Sequence, residues 1–350
     1  MLKKNKKSRL LWLKLVLNLC FFLILNKTIL AAAYVVPGGQ SIGVKMRSEG
    51  LMVVGYHRLD TDKGHVSPVV NSIKVGDTLI KIDDKPLKSI QEFLLAVNKA
   101  GKEQASLKIT FIRNQAVYEV VVQPVYNLVD HAHQLGLYLR NTAMGIGTLT
   151  FIDNEHEIFG ALGHDVKDVS TNKTLTVGEG QIVRSNINEI EKSKIGDPGE
   201  KKGLFVEEGK TVGSITKNTP FGIFGSIRSN CFDQDEQQPL PIGSTKDVKV
   251  GPAIIRTVVE GNKVEEFDIE IVETSPAKKM TSKGLTIKVT DPILLKKTGG
   301  IVQGMSGSPI IQNGHLIGAV THVLVNDPTQ GFGAYIECML KEAGLWEQHQ

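Results

Sequence analysis

Gly304-Met305-Ser306-Gly307-Ser308-Pro309 runs directly into Ile310-Ile311-Gln312-Asn313-Gly314-His315-Leu316-Ile317-Gly318-Ala319-Val320. Asn-Gly between two apolar runs signals a two-residue β-hairpin, so Ser306 should stand at the mouth of a sheet. The residues around it are small. A serine hydroxyl attacks a carbonyl only when a base removes its proton, and the oxyanion that forms needs backbone N–H donors aimed at it. Gly304 lets the chain turn so that its own N–H and that of Ser306 point into one hole, while Gly307 and Ser308 leave room for a substrate carbonyl. The same letters would also suit an ordinary glycine-rich turn, so the reading depends on finding a base elsewhere in the chain.

Nine histidines are available. His57 and His65 belong to an N-terminal module, His131 and His133 to a joint, His156 to an acidic turn and His349 to a polar tail. His315 and His322 follow Ser306 along the hairpin; either suits a site near the serine or an outward-facing strand position. His164 closes Ile158-Phe159-Gly160-Ala161-Leu162-Gly163-His164-Asp165, an apolar run broken by glycines that ends a strand and can hold an imidazole at a sheet edge. It is the candidate base. Spacing alone leaves the orienting acid open among Asp165, Asp168, Asp197, Asp233, Asp268 and Asp291, with the first two close to His164 in sequence.

At 350 residues the chain has room for two packed domains behind a targeting segment. Residues 1–33 carry seven bases and no acid, then Leu10-Leu11-Trp12-Leu13 and an apolar run to Leu25, ending in Ala31-Ala32-Ala33. This pattern predicts an export signal or membrane anchor with a cytoplasmic N-terminus. Without those seven bases the formal charge of +4 becomes −3, which removes any compositional case for nucleic acid as a partner. Cys20 lies in the apolar segment, and Cys231 and Cys338 are expected to be free thiols. No Cys-x-x-Cys or His-Glu-x-x-His occurs, and His131-Ala132-His133 reads as a solvated linker, so no metal and no organic cofactor is predicted.

Residues 34–126 read as short strands with one helix, capped by Ser89 and presenting Phe93, Leu94 and Val97 on one face. The order of elements, with Ile73-Lys74-Val75-Gly76-Asp77 as its signature, resembles a PDZ domain. That resemblance implies that Ser41-Ile42-Gly43-Val44 forms the loop that receives a peptide's terminal carboxylate, beside a strand edge that accepts the peptide. From residue 139 onward strand-like runs and glycine turns dominate, as in Ala253–Val259, Phe267–Val272 and Leu285–Val289, which predicts a mainly β barrel or sandwich.

Gly163-His164-Asp165, Thr290-Asp291-Pro292 and Gly299-Gly300-Ile301-Val302-Gln303-Gly304-Met305-Ser306-Gly307-Ser308-Pro309 together resemble the stage IV sporulation protein B (SpoIVB) peptidase family. The resemblance implies an export or anchor segment (residues 1–33), a PDZ domain (34–126) and a chymotrypsin-like β-barrel serine peptidase domain (127–350). It places the nucleophile on Ser306, the histidine on His164 and the aspartate on Asp291, with Gly304 and Ser306 as oxyanion donors. It also implies a self-cleaving enzyme made in a forespore and exported to the space between the two forespore membranes. There it would cut a membrane-bound regulator and so lead to activation of pro-sigma-K, with itself, that regulator and a PDZ ligand peptide as protein partners. The competing reading is a PDZ scaffold that recruits membrane proteins and carries a catalytically weak β-domain.

Overall fold

The computed structural model describes residues 34–205, 211–228, 231–232, 238–276 and 281–346. The predicted export segment and Asp233 lie outside the described residues. The chain opens with β1 (Tyr34–Pro37) and β2 (Ser41–Tyr56), then builds β3 (Thr78–Ile82), α1 (Ile90–Lys102), β4 (Leu107–Arg113) and β5 (Ala116–Val122). It continues through β6 (Leu137–Asp153), β7 (Ile158–Ala161), β8 (Val177–Glu191), β9 (Glu200–Phe205), β10 (Thr211–Thr219) and β11 (Gly222–Ile227). The last part consists of β12 (Gly251–Val258), β13 (Val264–Thr274), β14 (Leu285–Val289), α2 (Pro292–Thr298), β15 (Pro309–Gln312), β16 (His315–Val323), β17 (Gln330–Tyr335) and α3 (Ile336–Ala343).

These strands make two barrels. In the first, β2 pairs with β6, β6 with β7, β7 with β11, β11 with β10, β10 with β8, and β8 again with β2, so the ring closes through antiparallel ladders. Alternate residues point inward, which buries Ile42, Val44 and Met46 from β2 against Phe159, Ile182 and Ile215. In the second, β12, β13, β14, β17, β16 and β15 close in that order around Ile255, Ile269, Ile287, Met305, Ile310 and Val320. Asn313 and Gly314 (φ 52° and 74°) form the tight turn that their sequence predicts between β15 and β16.

The smaller unit is an insertion into the first barrel. Its core is Leu51, Val53, Leu79, Phe93, Leu107 and Ile109, beneath α1. The side chain of Ser89 accepts from the N–H of Glu92, and the Glu92 carboxylate accepts in return from that of Lys88, so the helix start is satisfied locally. Phe93, Val97 and Ala100 face the core, whereas Leu94, predicted on the same face, is about half exposed.

Two long strands belong to both units. Residues 41–47 of β2 pair with 148–142 of β6 in the barrel, and residues 52–56 pair with 140–137 in the inserted unit. The structure therefore redraws the boundary expected at 126/127, because residues 41–48 are barrel residues. It also corrects the expected carboxylate loop. Ser41, Ile42, Gly43 and Val44 are buried in β2 with β6 on one edge, and Ile42 to Val44 also pair with β8 on the other, so no edge is left for a peptide. The alternation of Ile42, Val44 and Met46 suits a barrel strand and a peptide-accepting strand equally, and only distant partners decide between them.

The hairpin from β8 to β9 ties the barrels together. The N–H of Ser193 donates to Thr298 O at 2.8 Å, that of Gly196 to Val325 O at 2.9 Å, and that of Lys201 to Gln303 O at 2.9 Å. Lys201 is itself buried, and its ammonium donates to the Thr257 hydroxyl at 2.7 Å. Loss of hydration lowers its pKa from 10.5 to about 7. The unfolded chain then holds more protons between about pH 7 and pH 10.5, so this residue makes stability rise with pH across that window. The penalty at pH 7 is on the order of 4 kcal/mol, larger than the ~1 kcal/mol of one hydrogen bond. Lys201→Met is expected to raise Tm at pH 7 by calorimetry, with the advantage shrinking by pH 10.

Candidate active site

A cleft of about 640 Å3 is lined by both barrels. The first contributes Val44, Met144, Ile146, Leu162 and His164; the second contributes Gln303, Ser306 and His322.

His164 reaches the cleft through a backbone reversal. After β7 the chain takes left-handed φ at Leu162 (70°) and Gly163 (69°), which turns it out of the first barrel. A side chain at Gly163 would meet Thr321 at 2.9 Å and the carbonyl of Val320 at 3.2 Å, so glycine is what lets this turn press against β16. The His164 Nδ1 lies 2.9 Å from the carbonyl of Asp165. A carbonyl only accepts, so Nδ1 carries the proton and Nε2 keeps the lone pair, the tautomer a general base needs. Burial holds the imidazole below its ordinary value of 6.5.

Ser306 sits on a turn fastened by the other barrel. The N–H of Thr148 donates to the carbonyl of Ser306 at 2.9 Å, its hydroxyl to the carbonyl of Gly304 at 2.8 Å, and the hydroxyl of Thr150 to the carbonyl of Gly307 at 2.8 Å. Gly307 (φ 92°) approaches so closely that a Cβ there would lie 2.0 Å from the carbonyl of Thr148. The N–H groups of Gln303, Met305, Gly307 and Ser308 all have backbone acceptors, whereas those of Gly304 and Ser306 have none among the described residues. Two free donors flanking the serine are the requirement for an oxyanion hole. Ser306 is half-buried and lines the cleft, while Ser308 is fully buried.

Asp291 is elsewhere. Its carboxylate caps α2, accepting from the N–H groups of Ile293 and Leu294 at 2.8 Å each, and it is absent from the cleft wall. Thr286 faces Phe332 across β14 and β17, and Phe332 faces His322. Asp291 follows Thr286 by five residues, past the end of β14 and roughly 16 Å further along a strand direction. The structure does not bring Asp291 to His164, and the Asp-Pro pair caps a helix here. Three of the other candidate acids are committed too. Asp165 binds Thr174 and Lys167, Asp168 binds Arg140, and Asp197 accepts from Gly199. No carboxylate hydrogen-bonds to His164 among the described residues, and the carbonyl of Asp165 holds the ring instead.

His322 was undecided in sequence, and here it stands in the cleft with its ring centre 5.0 Å from that of His164. His315 is exposed and bonded to the carbonyl of Asn313. Sequence reading missed Thr148 and Thr150, which carry no signal beyond strand alternation. Among the described residues no group of three or more potential metal ligands occurs.

The family model for the SpoIVB peptidase S55 family matches residues 131–340. The chain belongs to that family. It is a serine peptidase of the SpoIVB type, and both His164 and Ser306 lie inside the matched region. Among solved structures, it is similar to the active form of the Rv3671c protease from M. tuberculosis, with 15% identity, 58% of this chain and 75% of that one covered, and a TM-score of 0.35. An inactive form of the same protease gives 14% identity, 57% and 84% coverage and a TM-score of 0.29. The PDZ domain of an SdrC-like protein from Listeria monocytogenes gives 19% identity, 26% and 87% coverage and a TM-score of 0.22. No curated protein matches.

Three outcomes follow from this geometry. Thr148→Val keeps the shape of the side chain but releases the carbonyl of Gly304, and is expected to lower kcat roughly 10- to 100-fold with little change in KM in steady-state peptide cleavage. The acid limb of kcat/KM is expected to lie below pH 6.5, because burial lowers the His164 pKa. His322 is pushed down to about 4, so the unfolded chain takes up its proton first and stability falls as pH drops from 6.5 towards about 4.

Proposed function

We propose that the chain is an exported, self-cleaving serine endopeptidase that signals between forespore and mother cell by cutting a membrane-bound regulator in the pathway to pro-sigma-K activation. One observation carries the catalytic part: a serine with two free flanking N–H donors and a histidine of the required tautomer face one cleft from opposite barrels. His164 Nε2 takes the proton from Ser306 Oγ as the oxygen attacks the scissile carbonyl. The N–H groups of Gly304 and Ser306 receive the oxyanion, a contribution of about 10²–10³ in kcat per donor. His164 then delivers the proton to the leaving amine as the C–N bond breaks. Water, deprotonated by the same nitrogen, releases the acyl group and restores Ser306.

The location between the forespore membranes rests on the basic and apolar pattern of residues 1–33. The family supports a sporulation role, since its name is that of a sporulation protein. Peptide engagement by the PDZ unit shifts from the residues now in the barrel to the start of β6. There Leu135-Gly136-Leu137 turns into the strand beside α1, with Gly136 in a left-handed conformation (φ 68°). The edge of β6 at Leu137–Arg140 opposite β2 has no strand partner among the described residues, as β-strand addition requires.

The full chain co-expressed with a membrane-bound candidate regulator is expected to cleave itself and that regulator and to react with a fluorophosphonate probe. Ser306→Ala should lose all three. Labelling that survives in Ser306→Ala would remove Ser306 as the nucleophile, and self-cleavage without regulator cleavage would remove the signalling role.

A further inference from the structure

We propose that Lys201 is a positioning residue for the oxyanion hole: it sets the peptide unit that carries the Gly304 N–H and anchors that setting to β12. The inference rests on the reading of Ser306 as nucleophile and of Gly304 as an oxyanion donor. A trans peptide is planar, so its C=O and N–H point in opposite directions and fixing one aims the other. The two free donors of the serine turn differ in what fixes them. The N–H of Ser306 shares its peptide with the carbonyl of Met305, which accepts from the N–H of Ser308 at 3.0 Å, within the turn itself. The N–H of Gly304 shares its peptide with the carbonyl of Gln303, which accepts from the N–H of Lys201 at 2.9 Å. This half of the hole is therefore aimed by β9.

That peptide needs an outside hold. The bond from the Thr148 hydroxyl fixes the next unit, which joins the Gly304 carbonyl to the Met305 N–H. Gly304 has no Cβ and tolerates φ of either sign (here 92°), so turning the Gln303–Gly304 unit over meets no side chain of its own. Turned over, it would present a carbonyl to the oxyanion in place of an N–H. Lys201 opposes this at three points. Its N–H holds the Gln303 carbonyl. Its stem lies against the back of Gly304, where a Cβ would stand 3.1–3.3 Å from the lysine Cβ, Cγ and Cδ. Its ammonium donates to the buried hydroxyl of Thr257 in β12 at 2.7 Å, which ties the strand that supplies the N–H to the second barrel. Around it, Gln303 donates to the carbonyl of Gly199 at 3.1 Å, and Ile187 and Gly261 exchange N–H···O bonds of 2.7 Å. Burial lowers the Lys201 pKa to about 7, a penalty at neutral pH that an apolar side chain of the same length would not carry. Its place behind the oxyanion glycine gives that costly burial a catalytic use.

The test is steady-state peptide cleavage by the full chain, together with inhibition by a peptide trifluoromethyl ketone, whose carbonyl becomes an oxyanion in the hole when Ser306 Oγ attacks it. Lys201→Met keeps the stem and removes the ammonium bond, and Lys201→Ala removes both. The first is expected to lower kcat about 10-fold and the second about 100-fold, with KM within about twofold and affinity for the ketone falling in step with kcat. Because Lys201→Met is also expected to raise Tm, its loss of kcat cannot come from a weakened fold. Thr257→Val should match Lys201→Met in kcat, and the double variant should cost no more than either single one. Thr257→Ser keeps the hydroxyl and is expected to hold kcat within about threefold of wild type. Wild-type kcat in Lys201→Met, a loss of kcat with ketone affinity intact, or a double variant whose losses add would each overturn the proposal. Peptide cleavage that persists in Ser306→Ala would instead overturn the assignment of the nucleophile, whatever the Lys201 variants do.

Discussion

Everything catalytic in this molecule depends on the grip of Thr148 on the turn that carries Ser306. Two hydrogen bonds from this one residue, by its N–H and its hydroxyl, reach two carbonyls on either side of Met305. Those carbonyls are thereby held against the first barrel, and the N–H groups of Gly304 and Ser306 have no acceptor among the described residues. The bonds that join the barrels therefore also hold the segment that carries the two free donors. The β8–β9 hairpin reinforces this from the other side, where the carbonyl of Gln303 receives Lys201 and its N–H reaches Gly199.

Much of the second barrel was legible in the sequence because its signals are local. Asn313-Gly314 specifies its hairpin through backbone conformation alone, and the small residues about Ser306 announce close approach. His164 was legible for the same reason, as a glycine-broken strand end. One misreading is non-local. Whether Ser41–Val44 accepts a peptide or pairs with β6 and β8 depends on strands that lie a hundred or more residues away. Asp291 illustrates another limit: Asp-Pro after a strand serves equally well as a catalytic acid and as a helix cap, and here the N–H groups of Ile293 and Leu294 claim the carboxylate first. Lys201 looks like any solvated lysine in a polar stretch until the two barrels close over it.

Among the described residues the ring of His164 is held by main chain and not by a carboxylate. A carbonyl fixes the tautomer of His164 without bringing a negative charge, and every carboxylate nearby is already bonded to a cation, a hydroxyl or a backbone N–H. Such a base is oriented but not strongly charge-stabilised at rest.

The sharing of β2 and β6 between barrel and inserted unit means that this protein is not modular in the ordinary sense. A peptidase with its recognition domain on a tether can lose that domain and keep its barrel. Here, cutting the gene at the apparent border would take a stave out of the barrel and leave β6 and β8 as open edges. The inserted unit and the barrel therefore share their two longest strands, and what shifts one can reach the other along β2 and β6, with the irregularity at residues 48–51 opposite Asn141 as the widest interruption in that pairing.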